Sequence, residues 1–516
     1  MTWQVLPGQD AAYTRAQIPP SVLTGIPHQR GEKAVVVKHD YPTWVQMRAR
    51  GMILPSPIAH YKWPGRFDPF AHQRTTSEFL ISHPKSFVFN GLGTGKTLSA
   101  LWAMDYLMQQ KVVRRVLIIA PLAVCTGVWE PELFKTTPHL SAQVLEGGAA
   151  KKKAQAARRQ TQVVIVNPES LHIVSDELMG KVDLILVDEA TYFKNASTKR
   201  WKTLQKLTEG VPYLWLMTGT PAPQSPMDAY GLLRLVRKKY ISKRAWQNMT
   251  MIQVGRFRWV PKNDADKTIS GWLRPAIWFK IEDCPDMPEM PAPLSIPAIM
   301  TKEQQELCTL LTNEARAMVE DGEISAPNAA VVMSKLIQVQ CGGVYGTDEN
   351  EQRAEHEVAA TGYFQAIHDF VDQADTPVLI VAPYRITAKA IEAKMNKAGY
   401  STALIYGDVK KRDRGPILRD FSEGRTRVLV AVPGTMSHGV DGLQNASRFI
   451  LWAAPPTSAE AYHQTIGRLV RSGQKKKVVI GHIITSTLAK EMFNRLESKA
   501  RLQDAVLHYI GLGAGQ

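Results

Sequence analysis

Two series of short apolar runs constrain this chain more than any other feature. The first reads SFVFN (86–90), RVLIIA (115–120), QVVIV (162–166), DLILV (183–187) and YLWLM (213–217). The second reads PVLIVA (377–382), TALIYG (402–407), RVLVAV (427–432), RFILWA (448–453) and KVVIGHI (477–483). Runs this short and apolar, separated by helix-length segments, read as strands of parallel sheets covered on both faces by helices. The expected fold class is therefore α/β, with one parallel-sheet lobe over residues 67–236 and a second over 351–516. Between them, residues 237–350 lose the rhythm. Proline clusters at DCPDMPEMPAPLSIP (283–297) and helix-like text follows at TKEQQELCTLLTNEARAMV (301–319), which reads as a helical insertion and linker. Residues 1–66, rich in Pro, Trp and Tyr, read as an N-terminal extension with some local structure.

Composition narrows the partners. The 516 residues carry 63 Lys and Arg against 47 Asp and Glu, a net charge of +16. Such an excess favours a polyanionic partner, nucleic acid first, with a scattered basic surface as the plain alternative. Cys125, Cys284, Cys308 and Cys341 are far apart, with no C-x-x-C pair. That argues against a zinc site or a disulfide framework and suits a reducing compartment. No apolar run reaches the eighteen residues of a membrane-spanning helix, so no membrane partner is expected. The opening MTWQVLPGQDAAYTR lacks the basic-then-apolar layout of a secretion signal. The expected location is the cytoplasm, nucleoid-associated or that of a host.

The chemistry begins at FNGLGTGKTLSA (89–100), between the first strand and the helix expected from about Lys96. Backbone N–H groups from Gly93, Thr94 and Gly95 to Thr97 could cradle phosphates at that helix start. Lys96 would reach the β- and γ-phosphates of a nucleotide, and the Thr97 hydroxyl would ligate Mg²⁺. The pattern G-x-x-x-x-G-K-[ST] wants glycine where this chain has Asn90. A carboxylate should close such a site from a neighbouring strand, and LILVDEA supplies Asp188 and Glu189. Asp188 would hold Mg²⁺ and Glu189 would orient or deprotonate the attacking water. From the far half, HQTIGRLVRSGQ (463–474) places Arg468 and Arg471 three apart, on one face if helical. Guanidiniums delivered from a second lobe onto a γ-phosphate act as arginine fingers; a solvated basic face is the bland alternative.

The wording Q-x-x-G-R-x-x-R-x-G-Q resembles motif VI of the superfamily-two helicases, in the form used by Swi/Snf-like DNA translocases. Other motifs then fall into the family's order. FDPFAHQ (67–73) is similar to the first motif, in which Gln73 would read adenine. LIIAPLAVCTGVWEPEL (117–133) is similar to motif Ia, with Pro121 and Trp129 in matching places. VDEATYFKN (187–195) and LMTGTPAP (216–223) resemble the family's D-E-A-H and T-G-T-P motifs. YGDVKKRDRGPILRDF (406–421) carries the family's spacing through Gly407, Arg414 and Phe421. MSHGVDGLQNAS (436–447) resembles motif V. The resemblance covers about residues 67–500 and implies RecA-like lobes, ATP and Mg²⁺ as cofactors, and nucleotide contacts from Gly439, Asp441 and Gln464. Nucleic-acid contacts would come from Pro121, Asn167, Thr218, Gly219 and Ser437. In the family only the later G-x-G-K-T of the loop is required, which accommodates Asn90. Thr191 departs from the family by replacing the histidine after D-E-A, and Gly442 lengthens motif V by about one residue.

The expectation is an ATP-dependent DNA translocase of minimal bacterial or bacteriophage type, a DNA-dependent ATPase acting in replication, recombination or repair. It would act as a monomer on duplex or forked DNA in preference to RNA, with recombination or replication proteins as partners. Two alternatives stay open: a strand-separating helicase on RNA or single-stranded DNA, and a binding subunit in which ATP is only a structural ligand.

Overall fold

The computed structural model describes residues 3–496 except 7–10, 32–33, 92, 147–148, 220, 222–224, 238–240, 256–258, 281–283, 285–290, 321–325, 348–352, 437–441 and 472. The first parallel sheet has seven strands. Their order is Ala276–Ile277, Lys85–Val88, Tyr213–Met217, Leu184–Asp188, Val116–Ile119, Val163–Val166 and Ala142–Val144. Successive strand residues feed opposite cores. Leu184, Leu186, Trp215 and Met217 pack on one face of the sheet, and Ile185, Val187, Leu214 and Leu216 on the other. That two-sided burial is why the runs are uniformly apolar instead of alternating.

The second parallel sheet has six strands, ordered Leu294–Pro297, Val479–Ile484, Phe449–Trp452, Val378–Val381, Val428–Ala431 and Thr402–Ile405. Here Val378, Ile380, Phe449 and Leu451 face one core, and Leu379, Val381, Ile450 and Trp452 the other. All ten runs read as strands in the sequence lie in these sheets.

The middle segment corrects the boundaries drawn from sequence. It does hold helices, Lys243–Thr250, Ala265–Trp272, Lys302–Glu320 and Ala326–Gln340. It also gives an edge strand to each sheet: Ala276–Ile277 pairs with Phe87–Val88, and Leu294–Pro297 pairs with Gly481–Ile484. Lobe 1 thus extends past residue 236 to Ile277, and lobe 2 begins at Leu294 instead of 351. Strands of two and four residues flanked by proline carry no run long enough to stand out in a sequence, and proline is tolerated because they sit at edges.

The N-terminal segment is also more than an extension. Gln4–Val5, Ala11–Thr14, Val35–Lys38 and His28–Arg30 form an antiparallel sheet in that order, followed by the helix Tyr41–Ala49. Its Tyr41, Trp44 and Met47 share one core with Leu80, Ile81 and Trp102 of lobe 1. The Tyr41 hydroxyl donates to the Ile81 carbonyl at 2.9 Å. Farther along, Asp105 is fully buried and accepts from Tyr61, from Gln109 at 2.8 Å and from His139 at 2.7 Å. A buried carboxylate must be satisfied in this way, since losing a donor leaves the desolvation cost uncompensated. Tyr61→Phe should therefore lower the stability of lobe 1 by about 1–3 kcal/mol, read as a shift in the urea midpoint at constant slope.

In lobe 2, the Tyr462 hydroxyl and His482 Nε2 lie 2.7 Å apart, and His482 stacks on Phe493 with ring centroids at 3.9 Å. Burial pulls the His482 imidazole down to about 4, so at neutral pH it is uncharged and accepts from the phenol. The folded value lies below the ordinary 6.5, so this contribution is complete above pH 6.5 and is lost as pH falls toward 4. It amounts to at most about 3 kcal/mol. Thermal melts across that window should fall more steeply for the natural chain than for His482→Gln, which keeps an acceptor for Tyr462 but does not titrate.

Candidate nucleotide site at the seam of the two sheets

In an open parallel sheet, ligands bind beyond the carboxyl ends of the strands. The first sheet sends Asn90, Pro121, Asn167, Asp188 and Thr218 to that edge, each at or just past the end of its strand. The helix expected near Lys96 runs Lys96–Gln109. Gly93 and Gly95 before it have φ of +80° and +79°, the left-handed region in which glycine is at ease. Gly95 is doubly constrained: a Cβ there would stand 2.1 Å from Gln73 Nε2. Gln73 is buried against the loop, its Nε2 donating to the Thr94 carbonyl at 3.2 Å and its Oε1 accepting from Phe70 N at 3.0 Å.

Asn90 has a structural reason to replace glycine. Its Nδ2 donates to Thr76 Oγ1 at 2.8 Å, and its Oδ1 accepts from Phe279 N at 3.1 Å. One buried side chain thereby joins the loop to the Ala71–Ser82 helix and to the segment leaving the edge strand. The main chain continues this pairing, Phe89 N donating to Ile277 O and Gly91 N to Phe279 O, each at 2.9 Å. Lys96 Nζ donates to the carbonyls of Asn90 at 2.8 Å and Gly91 at 2.9 Å.

The acidic pair faces this loop. Asp188 Oδ2 accepts from the indole N–H of fully buried Trp129 at 2.8 Å, and Oδ1 accepts from Glu189 N at 3.0 Å. Trp129 closes a turn of π-helix, Cys125–Trp129, a local widening that recurs at functional sites. Glu189 has φ of +54°, a strained value for a residue with a side chain. Its Oε1 accepts from Thr191 Oγ1 at 2.8 Å and Thr218 Oγ1 at 2.9 Å. Burial pushes the Glu189 carboxyl up to about 7, with Glu460 and Asp188 adding like charge. Burial raises Asp188 as well, opposed by the Trp129 hydrogen bond and by Lys96. It pulls Lys96 down, against the attraction of Asp188 and Glu189.

Lobe 2 closes over this group. Gln464, on the helix Ala459–Ile466, brings its Nε2 to 3.4 Å from Glu189 Oε2. Arg468 lies in the field of both Lys96 and Asp188, and its Nε donates to Met436 O at 3.1 Å. A side chain at Gly93 would come within 3.2 Å of Arg471 Cβ, so the loop and Arg471 are in near contact. The helical spacing expected of the two arginines is not realised, because the helix ends at Ile466 and a turn carries them. Gly467 caps the helix, and Arg468 N bonds back to Thr465 O at 3.1 Å.

The expected nucleic-acid contacts divide. Pro121 precedes the half-exposed Leu122 at the sheet edge. Asn167 Nδ2 donates to Glu169 Oε2 at 2.8 Å, and its Oδ1 is buried with no hydrogen-bond partner among the described residues. Thr218 is buried, and its hydroxyl donates to Glu189 Oε1 at 2.9 Å. Gly219 follows it at the strand end. Ser437, Gly439 and Asp441 lie outside the described residues. Sequence reasoning missed Glu460, whose signal was its place four residues before Gln464 on one helix face. It also missed the work of Asn90 and the Trp129–Asp188 bond, which no local pattern announces.

The SNF2-related domain family matches residues 72–320, and the helicase conserved C-terminal domain family matches residues 362–473. Protein p41 of Acyrthosiphon pisum secondary endosymbiont phage 1 is 25% identical over 478 residues, covering 86% of this chain and 98% of its own. The ATP-dependent helicase YqhH of Bacillus subtilis (strain 168) is 23% identical over 481 residues, covering 86% of this chain and 80% of its own. The helicase domain of Hef from Pyrococcus furiosus shares the fold at a TM-score of 0.51 and 13% identity, over 83% of this chain and 98% of that one.

Asn90→Gly would restore the common loop wording and remove two buried hydrogen bonds. The cost should be about 2–3 kcal/mol, near 1 per bond plus the added freedom of glycine, read as a lower urea midpoint.

Proposed function

We propose that this chain, which belongs to the SNF2-related ATP-dependent helicases and is an ATP hydrolase, couples that hydrolysis to movement along DNA. Duplex or forked DNA is the preferred track, in the service of replication, recombination or repair. The observation that carries the reading is the seam itself. Gln464, Arg468 and Arg471 of lobe 2 reach Glu189, Lys96 and Gly93 of lobe 1, so the site is whole only when the lobes are together. A site completed by closure ties each hydrolytic turn to a lobe motion. The net charge of +16 supports a polyanionic track.

The residues present suit Mg²⁺. Each Asp188 oxygen accepts one protein donor and so retains a lone pair, and the Thr97 hydroxyl has no hydrogen-bond partner among the described residues. No three His, Cys, Asp or Glu side chains among the described residues form an all-protein cage. An ion there would complete its shell from nucleotide oxygens and water, as Mg²⁺ commonly does. Bound ATP and Mg²⁺ supply the phosphoanhydride and the neutralising charge. Gln73 selects adenine, and Lys96 with the N–H groups of Gly93 to Thr97 holds the phosphates. Thr97 and Asp188 hold the ion, Glu189 orients the attacking water and takes its proton, and Arg468 and Arg471 complete the site. Pro121 and Asn167 border the nucleic-acid track.

Steady-state ATPase rates should be measured without polymer and with duplex, single-stranded and forked DNA and RNA. Duplex or forked DNA should stimulate strongly. Lys96→Ala and Glu189→Gln should abolish turnover with unchanged circular dichroism, and Arg468→Ala should lower kcat by about 10³-fold or more. Near-normal turnover in Lys96→Ala would overturn the site. Stimulation by single strands or RNA alone would make it a strand-separating helicase, and indifference to every polymer would favour the binding subunit.

A further inference from the structure

The helix that brings Gln464 to Glu189 carries a second polar side chain into the seam. Glu460 lies one turn before Gln464, and its Oε1 accepts from Gln464 Nε2 at 3.1 Å. The same nitrogen stands 3.4 Å from Glu189 Oε2, so a single carboxamide spans two carboxylates from opposite lobes. Glu460 also meets lobe 1 directly. The Thr191 hydroxyl, which donates to Glu189 Oε1 at 2.8 Å, faces the Glu460 carboxyl as well. Lys194 attracts Glu460, and Asp228, paired with Lys194 at 3.3 Å, repels it. Glu460 is half-buried, at a place where a carboxylate needs donors to replace the water it has lost.

Position 191 is where this chain departs from the family's D-E-A-H wording. Threonine there gives Glu189 Oε1 a hydroxyl donor at 2.8 Å. We propose that Glu460 is a positioning residue: it aims the Gln464 amide of lobe 2 at Glu189 of lobe 1. The role rests on the ATPase reading above. It predicts that the acceptor atom at 460 matters more than its charge, because the geometry uses the oxygen to hold a neutral amide. A first-turn acid serving only the helix dipole would show the reverse dependence.

The test compares Glu460→Ala, Glu460→Gln, Gln464→Ala and the Glu460→Ala/Gln464→Ala double variant in the full chain. Each is assayed for ATPase with the stimulating DNA, for binding of a fluorescent ADP analogue, and for inter-lobe distance by energy transfer between labels on the two lobes. Glu460→Ala should lower kcat at least tenfold, change ADP affinity less than about threefold, and shift the unliganded population toward the open state. Glu460→Gln, which keeps an acceptor for Gln464, should return kcat to within about threefold of the natural chain. The double variant should be no slower than Gln464→Ala, since Glu460 acts through that side chain. Wild-type kcat in Glu460→Ala, failure of glutamine to rescue, or multiplicative losses in the double variant would each overturn the positioning role and leave the ATPase reading standing. A natural chain that never turns over would overturn both. Should Glu460→Ala misfold, the contrast between Glu460→Gln and Gln464→Ala decides the matter.

Discussion

Lys96, Asp188 and Glu189 are half-buried where the two lobes meet, and the cost of burying charge governs what surrounds them. A buried ionisable group keeps its charge only when partners replace the water it lost. Lys96 is met by the carbonyls of Asn90 and Gly91. Asp188 is met by an indole and a main-chain N–H, and Glu189 by two hydroxyls of lobe 1 and an amide of lobe 2. The Asn90 and Gly91 carbonyls, the Glu189 N–H and Thr191 are local to the groups they serve, whereas Trp129, Thr218 and Gln464 come from distant segments of the chain. The site therefore exists only as an assembly, and Glu189 is satisfied in full only when lobe 2 is in place.

Asn90 shows how the same constraint reaches the rest of the fold. The nucleotide loop is bonded through it to the segment around Phe279, which leaves lobe 1 toward the strand Leu294–Pro297 of lobe 2. A change in the loop is thus felt at the start of the connection between lobes, while Gln464 and the two arginines approach the same loop and acids from the other side. The loop sits between the covalent and the non-covalent joins of the two halves. Such an arrangement makes lobe motion and loop occupancy parts of one equilibrium.

Much of this was legible in the amino-acid order because the decisive signals are local. A parallel strand buried on both faces is apolar nearly throughout, so the runs 86–90, 115–120, 162–166, 183–187 and 213–217 could be read one by one. A loop that folds around phosphate needs glycines at set positions before a helix, so Gly93, Gly95 and Lys96 stood out as a group. The sequence could not reveal the edge strands Ala276–Ile277 and Leu294–Pro297, whose pairing comes from neighbours instead of from their own residues. Nor could it show that the Thr218 hydroxyl donates to Glu189 Oε1.

The amino-acid order by itself determined two α/β lobes, a phosphate-type loop, an acidic strand end and an arginine-bearing segment, since each is written in contiguous residues with a period or a fixed spacing. The tertiary structure alone decided which of them meet. The N-terminal sheet shares a core with lobe 1, Trp129 reaches Asp188 across 59 positions, and Gln464 reaches Glu189 across 275. Contacts over such separations follow from how whole sheets pack and close, and no local rule of spacing encodes them.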